Sequence, residues 1–109
     1  MNFPLYCLDF GNRPFMLEQT KIRGKALGIL PVFTTRAAAE QFEDHLPQDV
    51  ASKLPSERIK HLQSREELAA VLLVAKDARC AFVAWDPDVP SAKSGRKQPL
   101  SELLAGLRH

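Results

Sequence analysis

Apolar and polar positions divide the chain into short segments whose period switches between that of a strand and that of a helix. Phe3 to Phe10 carries aromatic and apolar residues at strand density, Gly11-Asn12-Arg13-Pro14 supplies a turn, and Phe15-Met16-Leu17-Glu18 resumes the apolar pattern. This predicts an N-terminal hairpin. Gln19 to Lys25 is polar, with three cations and a glycine, and its pattern fits either a loop or the tip of a second turn. Gly28 to Phe33 is apolar and runs into Thr34-Thr35. Pro31 has no N–H, so this strand is expected at an edge or bulged on that side, or beginning effectively at Val32. Thr34 or Thr35 then caps a helix from Arg36 to about Leu46, its hydroxyl accepting from a backbone N–H two or three residues on. Ala38, Ala39, Phe42, His45 and Leu46 fall on one stripe of that helix, and Pro47 stops it.

Residues 47–57 read as a loop with one short helical turn around Val50 to Leu54, and Arg58 to Leu62 as a short strand. Ser64 followed by Glu67 is a capping box, and the helix it opens places Leu68, Val71, Leu72, Ala75 and Ala78 on one face, with Glu66, Glu67, Lys76 and Asp77 outside. Cys80 to Trp85 is six consecutive non-polar residues ended by Asp86-Pro87, the signature of an interior strand with both faces covered. Strand, capped helix and strand are expected to form a β-α-β unit, with the strands at Ile59 and Cys80 as neighbours across a right-handed crossover. Residues 91–98 are small, polar and basic, a mobile loop by composition. Pro99 suits the first position of a final helix from Leu100 to about Leu107, whose leucine stripe must dock for so short a helix to persist. The expected fold class is α/β: a small mixed sheet with an N-terminal hairpin and helices packed on it, in the order β-β-β-α-β-α-β-α, with residues 1–109 as one domain.

Composition changes this picture little. Hydrophobic residues make up 45% and charged residues 26% of the chain, ordinary for a globular protein that buries one modest core. Cys7 and Cys80 lie far apart inside apolar segments, so a CxxC redox pair and a four-cysteine zinc site are excluded, and both read as reduced core thiols of a cytoplasmic protein. No apolar run approaches the roughly 18 to 20 residues of a membrane span, and the first residues lack a basic n-region, so no membrane partner is expected. The net charge is +2, with basic ends and an acidic middle: residues 37–78 carry eight acids against five Lys/Arg.

Candidate chemistry gathers where strands end, because ligands of sheets with parallel character sit beyond the carboxyl ends of their strands. Thr34, Thr35 and Arg36 follow one apolar strand, and Asp86 and Asp88 follow another. With both strands pointing the same way, these groups share one rim, where a threonine-capped helix N-terminus with Arg36 attracts an anion. The competing reading is structural: the threonines cap and Asp86 starts a turn. His45, His61 and His109 are scattered, and HExxH, GxSxG, GxGxxG and P-loop patterns are absent, so no metal, cofactor or catalytic residue is assigned. Lys21, Arg23 and Lys25 with Lys93, Arg96 and Lys97 form two basic segments, but neither contains an aromatic residue to stack a base, which argues against nucleic acid.

At Leu30-Pro31-Val32-Phe33-Thr34-Thr35, Ala37-Ala38-Ala39-Glu40-Gln41-Phe42 and Phe82-Val83-Ala84-Trp85-Asp86-Pro87 the chain resembles the N-terminal domain of the SseB-like, enhanced-serine-sensitivity family. Such domains show a similar order: an apolar strand running into Phe-Thr, a helix with a buried Phe, a capped helix, then an apolar strand ending in Asp-Pro. The resemblance spans roughly residues 28–90 and implies a small bacterial α/β domain with a secretion-associated or partner-binding role. The chain departs from that pattern by its own N-terminal hairpin and by ending where longer relatives continue. The resemblance supplies no catalytic residues.

Three functions follow as expectations. The first is a non-enzymatic protein-interaction module that self-associates, since Phe3, Tyr6, Phe10 and Phe15 and the stripe from Leu100 to Leu107 offer more apolar surface than one small core absorbs. The second is a small-anion or nucleotide-binding module using Thr34, Thr35 and Arg36. The third is an enzyme using Asp86 and Asp88. Charge reversal at Arg96 and Lys97 is expected to leave retention on heparin at low salt unchanged; a marked loss of retention would revive nucleic acid as a partner.

Overall fold

A computed structural model of the chain describes residues 3–9, 14, 16–22, 25–46, 48, 52, 59–87 and 96–107. Among these residues, six strands and three helices follow in the order β1 (Leu5–Leu8), β2 (Leu17–Ile22), β3 (Lys25–Val32), α1 (Arg36–Asp44), β4 (Ile59–Leu62), α2 (Arg65–Asp77), β5 (Cys80–Trp85), β6 (Arg96–Pro99) and α3 (Leu100–Leu107). The α/β class holds. A mixed four-stranded sheet runs β2-β3-β5-β6, antiparallel at both outer pairs and parallel between β3 and β5, and a separate antiparallel pair joins β1 to β4.

Three expectations about strand pairing are corrected. The hairpin is formed by β2 and β3, so Gln19 to Ile22 and Lys25 of the polar stretch are strand, whereas β1 pairs with β4. Only the isolated bridge between Asp9 and Pro14 joins the two sides of the expected first turn among the described residues. The strands flanking α2 are not neighbours: β4 lies against β1, and β5 pairs in parallel with β3. An apolar run records that a strand is buried and not which strand lies beside it, so the β-α-β reading chose the partner nearest in sequence. Finally, Arg96 to Pro99 is strand β6, paired with β5, although its composition reads as loop. Residues 49–51, 53–58 and 88–95, which include most of the expected loop after α1, lie outside the described residues.

The caps explain where the helices begin. Thr35 is extended (φ −134°) and its Oγ1 accepts from the Ala38 N–H at 3.1 Å. Ser64 Oγ accepts from the Glu67 N–H at 3.2 Å, while the Glu67 carboxylate reaches back to the Gln63 N–H at 2.6 Å, one residue earlier than a regular capping box. Each of these cap hydroxyls pairs one of the four donors that a helix start leaves without an intrahelical partner.

Alternation along β1 divides the interior in two. Leu5 and Cys7 face a core built with Leu30, Val32, Leu62, Val83, the buried stripe of α2 (Leu68, Val71, Leu72, Ala75) and Leu100, Leu103 and Leu104 of α3. Tyr6 and Leu8 face the other way, against Phe33, Ala39, Phe42 and Leu46. This period of two makes β1 the partition between the cores. Phe33 and Phe42 meet with ring centroids 5.2 Å apart at 53°, a tilted contact that aromatic quadrupoles favour, and burying each ring contributes roughly 1.5 to 3 kcal/mol. The leucine stripe of α3 is thus absorbed by the chain's own core.

Pro31 sits inside β3, an interior strand, and the reason it is tolerated lies in which edge its missing N–H would face. Alternate residues of a strand direct their N–H groups to the same edge. Ile29 is paired to Leu17 of β2, and Phe33 exchanges two hydrogen bonds with Tyr6 of β1 (Tyr6 N–H to Phe33 O 2.9 Å, Phe33 N–H to Tyr6 O 2.8 Å). Pro31 falls in the gap between these two pairings, so the edge character expected for it is realised locally.

Along β5 the register against β3 shifts between Gly28 and Ile29, which pair with Cys80 and Phe82 and leave Ala81 as the extra residue of a bulge. The bulge turns Cys80 to the same core as Val83, three positions on, while Phe82 and Ala84 join Ile29 on the opposite face.

Both cysteines are buried free thiols. Burial pushes Cys7 up to about 12, with Asp9 adding to the effect and Lys60 opposing it, and burial pushes Cys80 up to about 11 against hydrogen bonds with the backbone of Phe82 and Leu30. A raised folded-state pKa means the stabilisation is whole below the ordinary value of 9.0 and is lost as pH climbs towards 11 to 12, because only the unfolded chain releases the proton in that window. Cys7→Ala is expected to lose about 1.4 kcal/mol less than wild type between about pH 8 and pH 10 in urea titrations; parallel pH profiles would show that Cys7 titrates normally.

Candidate functional site

Because β3 and β5 are parallel neighbours, their carboxyl ends reach the same rim. That rim brings Thr34, Thr35, Arg36 and Asp86 together, as expected from the sequence on the condition that the strands run the same way. Asp86 is the centre of the arrangement. Its Oδ1 accepts from the Thr34 backbone N–H at 2.8 Å and its Oδ2 from Thr34 Oγ1 at 2.7 Å, while its own N–H donates to Val32 O at 2.9 Å. Three bonds therefore tie the end of β5 to the end of β3.

The Asp86 backbone is left-handed (φ 48°). Aspartate tolerates this region better than most residues, and the cost, of order 1 kcal/mol, is offset by charge-assisted hydrogen bonds that place both carboxylate oxygens in use. The other end of β5 is built alike: Arg79 is left-handed (φ 67°) just past the α2 cap, and its carbonyl accepts from the Gly28 N–H at 3.0 Å.

The remaining rim groups are also committed. Thr35 Oγ1 caps α1. Arg36 Nε lies 3.1 Å from Glu40 Oε1 on the next turn of its own helix, and both side chains are more than half exposed, so this pair contributes little stability but competes for the guanidinium. Thr34 donates to Asp86, Thr35 accepts from Ala38 and Arg36 is paired to Glu40, so each of the three side chains has an intramolecular partner. Asp88 lies outside the described residues, as does Lys93.

The basic segments are separated by the sheet. Lys25 opens β3, whereas Arg96 stands opposite Trp85 and Lys97 opposite Ala84 near the far end of the parallel pair. With seven residue steps along β3, the two groups lie about 23 Å apart along the strand direction. Lys97 is exposed, and Trp85 Nε1 donates to Gln98 Oε1 at 3.2 Å, which binds β6 to β5 through side chains as well as the ladder. Arg23 lies outside the described residues.

Among the described residues no cluster of three or more His, Cys, Asp or Glu is placed to hold a metal ion. His45 is exposed with Nδ1 donating to Gln41 O at 2.7 Å at the end of α1, and His61 is exposed and tilted against Tyr6, its direct cross-strand neighbour, with ring centroids 4.7 Å apart. His61 also borders a shallow groove of about 290 Å³ with Phe3, Pro4 and Gln63. Among the described residues no helix is long and apolar enough to cross a membrane.

One feature went unread in the sequence. Leu73 and Val74 of α2 are each 41% exposed, the large apolar side chains that the described residues leave most open. Ala70, one turn earlier, is exposed beside them. The signal was available: α2 carries more apolar positions than its buried stripe uses. Comparison of the chain with family models and with curated protein sequences gave no match.

Asp86→Ala removes both acceptors and places a poor left-handed residue at the rim, with an expected loss of about 2 to 3 kcal/mol. Asp86→Asn keeps one oxygen for Thr34 and is expected to cost about 1 kcal/mol. Urea denaturation that ranks the two equally would show that the Thr34 bonds carry none of the effect.

Proposed function

We propose that the protein is a non-enzymatic protein-interaction module of the SseB-like kind, with the outer face of α2 as its contact surface. The observation that carries this reading is the pair Leu73 and Val74, adjacent and exposed on a helix whose opposite face is fully packed. Leaving two branched apolar side chains 41% exposed forgoes roughly 0.6 to 1.2 kcal/mol of burial apiece, and a partner that covers them recovers it. The SseB-like element order supports the reading as well: β3 runs into Phe33-Thr34, α1 buries Phe42, α2 is capped by Ser64 and β5 ends in Asp86-Pro87.

Self-association has less to draw on than the sequence promised, because Leu100, Leu103 and Leu104 are spent on the interior and Phe10 and Phe15 lie outside the described residues. The small-anion or nucleotide reading at Thr34, Thr35 and Arg36 is the lesser one, since each of these groups already has an internal partner.

A photo-crosslinking side chain introduced at Leu73 in living cells is expected to give discrete adducts of higher mass, and the same side chain at Glu40, exposed on α1, none. Equal labelling from both positions, or none from Leu73, would remove α2 as the contact surface.

A further inference from the structure

We propose that the exposed face of α2 takes a partner helix whose apolar stripe is bracketed by Lys or Arg, in preference to a second copy of this chain. The inference rests on the interaction reading above and specifies the chemistry of the partner. At about 100° per residue, Glu66, Ala70, Leu73, Val74 and Asp77 fall on one face of the helix, opposite the buried Leu68, Val71, Leu72 and Ala75. All five are exposed. The apolar middle therefore ends in a carboxylate at each side, with the two acids eleven residues apart, about 16 Å along the axis.

Neither carboxylate has an ion-pair partner among the described residues, where Arg36 and Glu40 form the pair that is seen. Asp77 also sits in the last turn of α2, where the negative end of the helix dipole disfavours an anion. A cation from a partner relieves that repulsion and completes the stripe.

A second copy does the reverse. Two such helices related by an antiparallel two-fold axis centred on the apolar patch bring Glu66 of one against Asp77 of the other. The two-fold repeats that encounter at the other end, so like charges meet at both ends of the patch, which is how an interface rejects the wrong partner.

The test uses two synthetic stapled helices with the same leucine stripe, one with lysine and one with glutamate at both ends, titrated against the intact chain at low salt by fluorescence anisotropy. The lysine-ended peptide is expected to bind about tenfold more tightly or better, with the preference weakening as salt is added. Leu73→Glu is expected to abolish binding, and Glu66→Lys with Asp77→Lys to invert the preference; circular dichroism checks that each variant stays folded, as substitutions at exposed positions should allow. Equal affinity for the two peptides, binding of neither, or a dimer in sedimentation that Leu73→Glu dissolves would overturn the proposal. Adducts from Leu73 without a preference between the peptides would leave the interaction reading standing and remove the partner chemistry alone.

Discussion

The parallel pairing of β3 with β5 is the constraint on which the rest of the structure depends. It joins residues more than fifty positions apart, such as Leu30 and Val83, and so closes a long loop before any contact repays the entropy. The pairing is secured at both ends by left-handed residues that bracket β5. Arg79 offers its carbonyl to Gly28 at the start, and Asp86 grips Val32 and Thr34 at the finish. Strained backbone of this kind persists only where neighbouring contacts over-determine it, and here the contacts all lead to β3.

From that pairing the two cores follow. With β5 beside β3, the Ala81 bulge sets Cys80 and Val83 towards α2 and α3, and the end of β3 is left free to bond β1 through Phe33 and Tyr6. Strand β1 then serves both cores through alternate side chains, and Pro31 occupies the one stretch of β3 where no N–H is required. The interior is closed against polar groups: no polar or charged residue is buried among the described residues.

The same geometry decides what the rim can do. Thr34 and Asp86 satisfy one another once the strands are side by side, because a carboxylate with two oxygens matches the N–H and hydroxyl that Thr34 supplies. Unsatisfied surface lies instead on α2, where the packed stripe uses four of the helix's apolar residues and leaves Leu73 and Val74 outside. The bonded rim and the exposed apolar pair thus lie on different elements.

Element type was largely legible from the chain alone. The Thr35 and Ser64 caps, the buried stripes around Phe42 and Leu72, the interior strand from Cys80 to Trp85 and the leucine helix at the end all follow from local period and local hydrogen bonding, which are properties of a few adjacent residues. That Thr34 and Asp86 share a rim was legible only on the condition of parallel strands. What tertiary structure alone decided was pairing: β1 with β4, β5 with β3, and β6 as a strand at all, since Arg96 to Pro99 gains its conformation from a neighbour's free edge and from the Trp85 to Gln98 bond. Hydrophobic pattern states that a side chain will be buried but is silent about what will cover it. For the same reason the sequence could not show that the terminal leucines pack within the chain's own core.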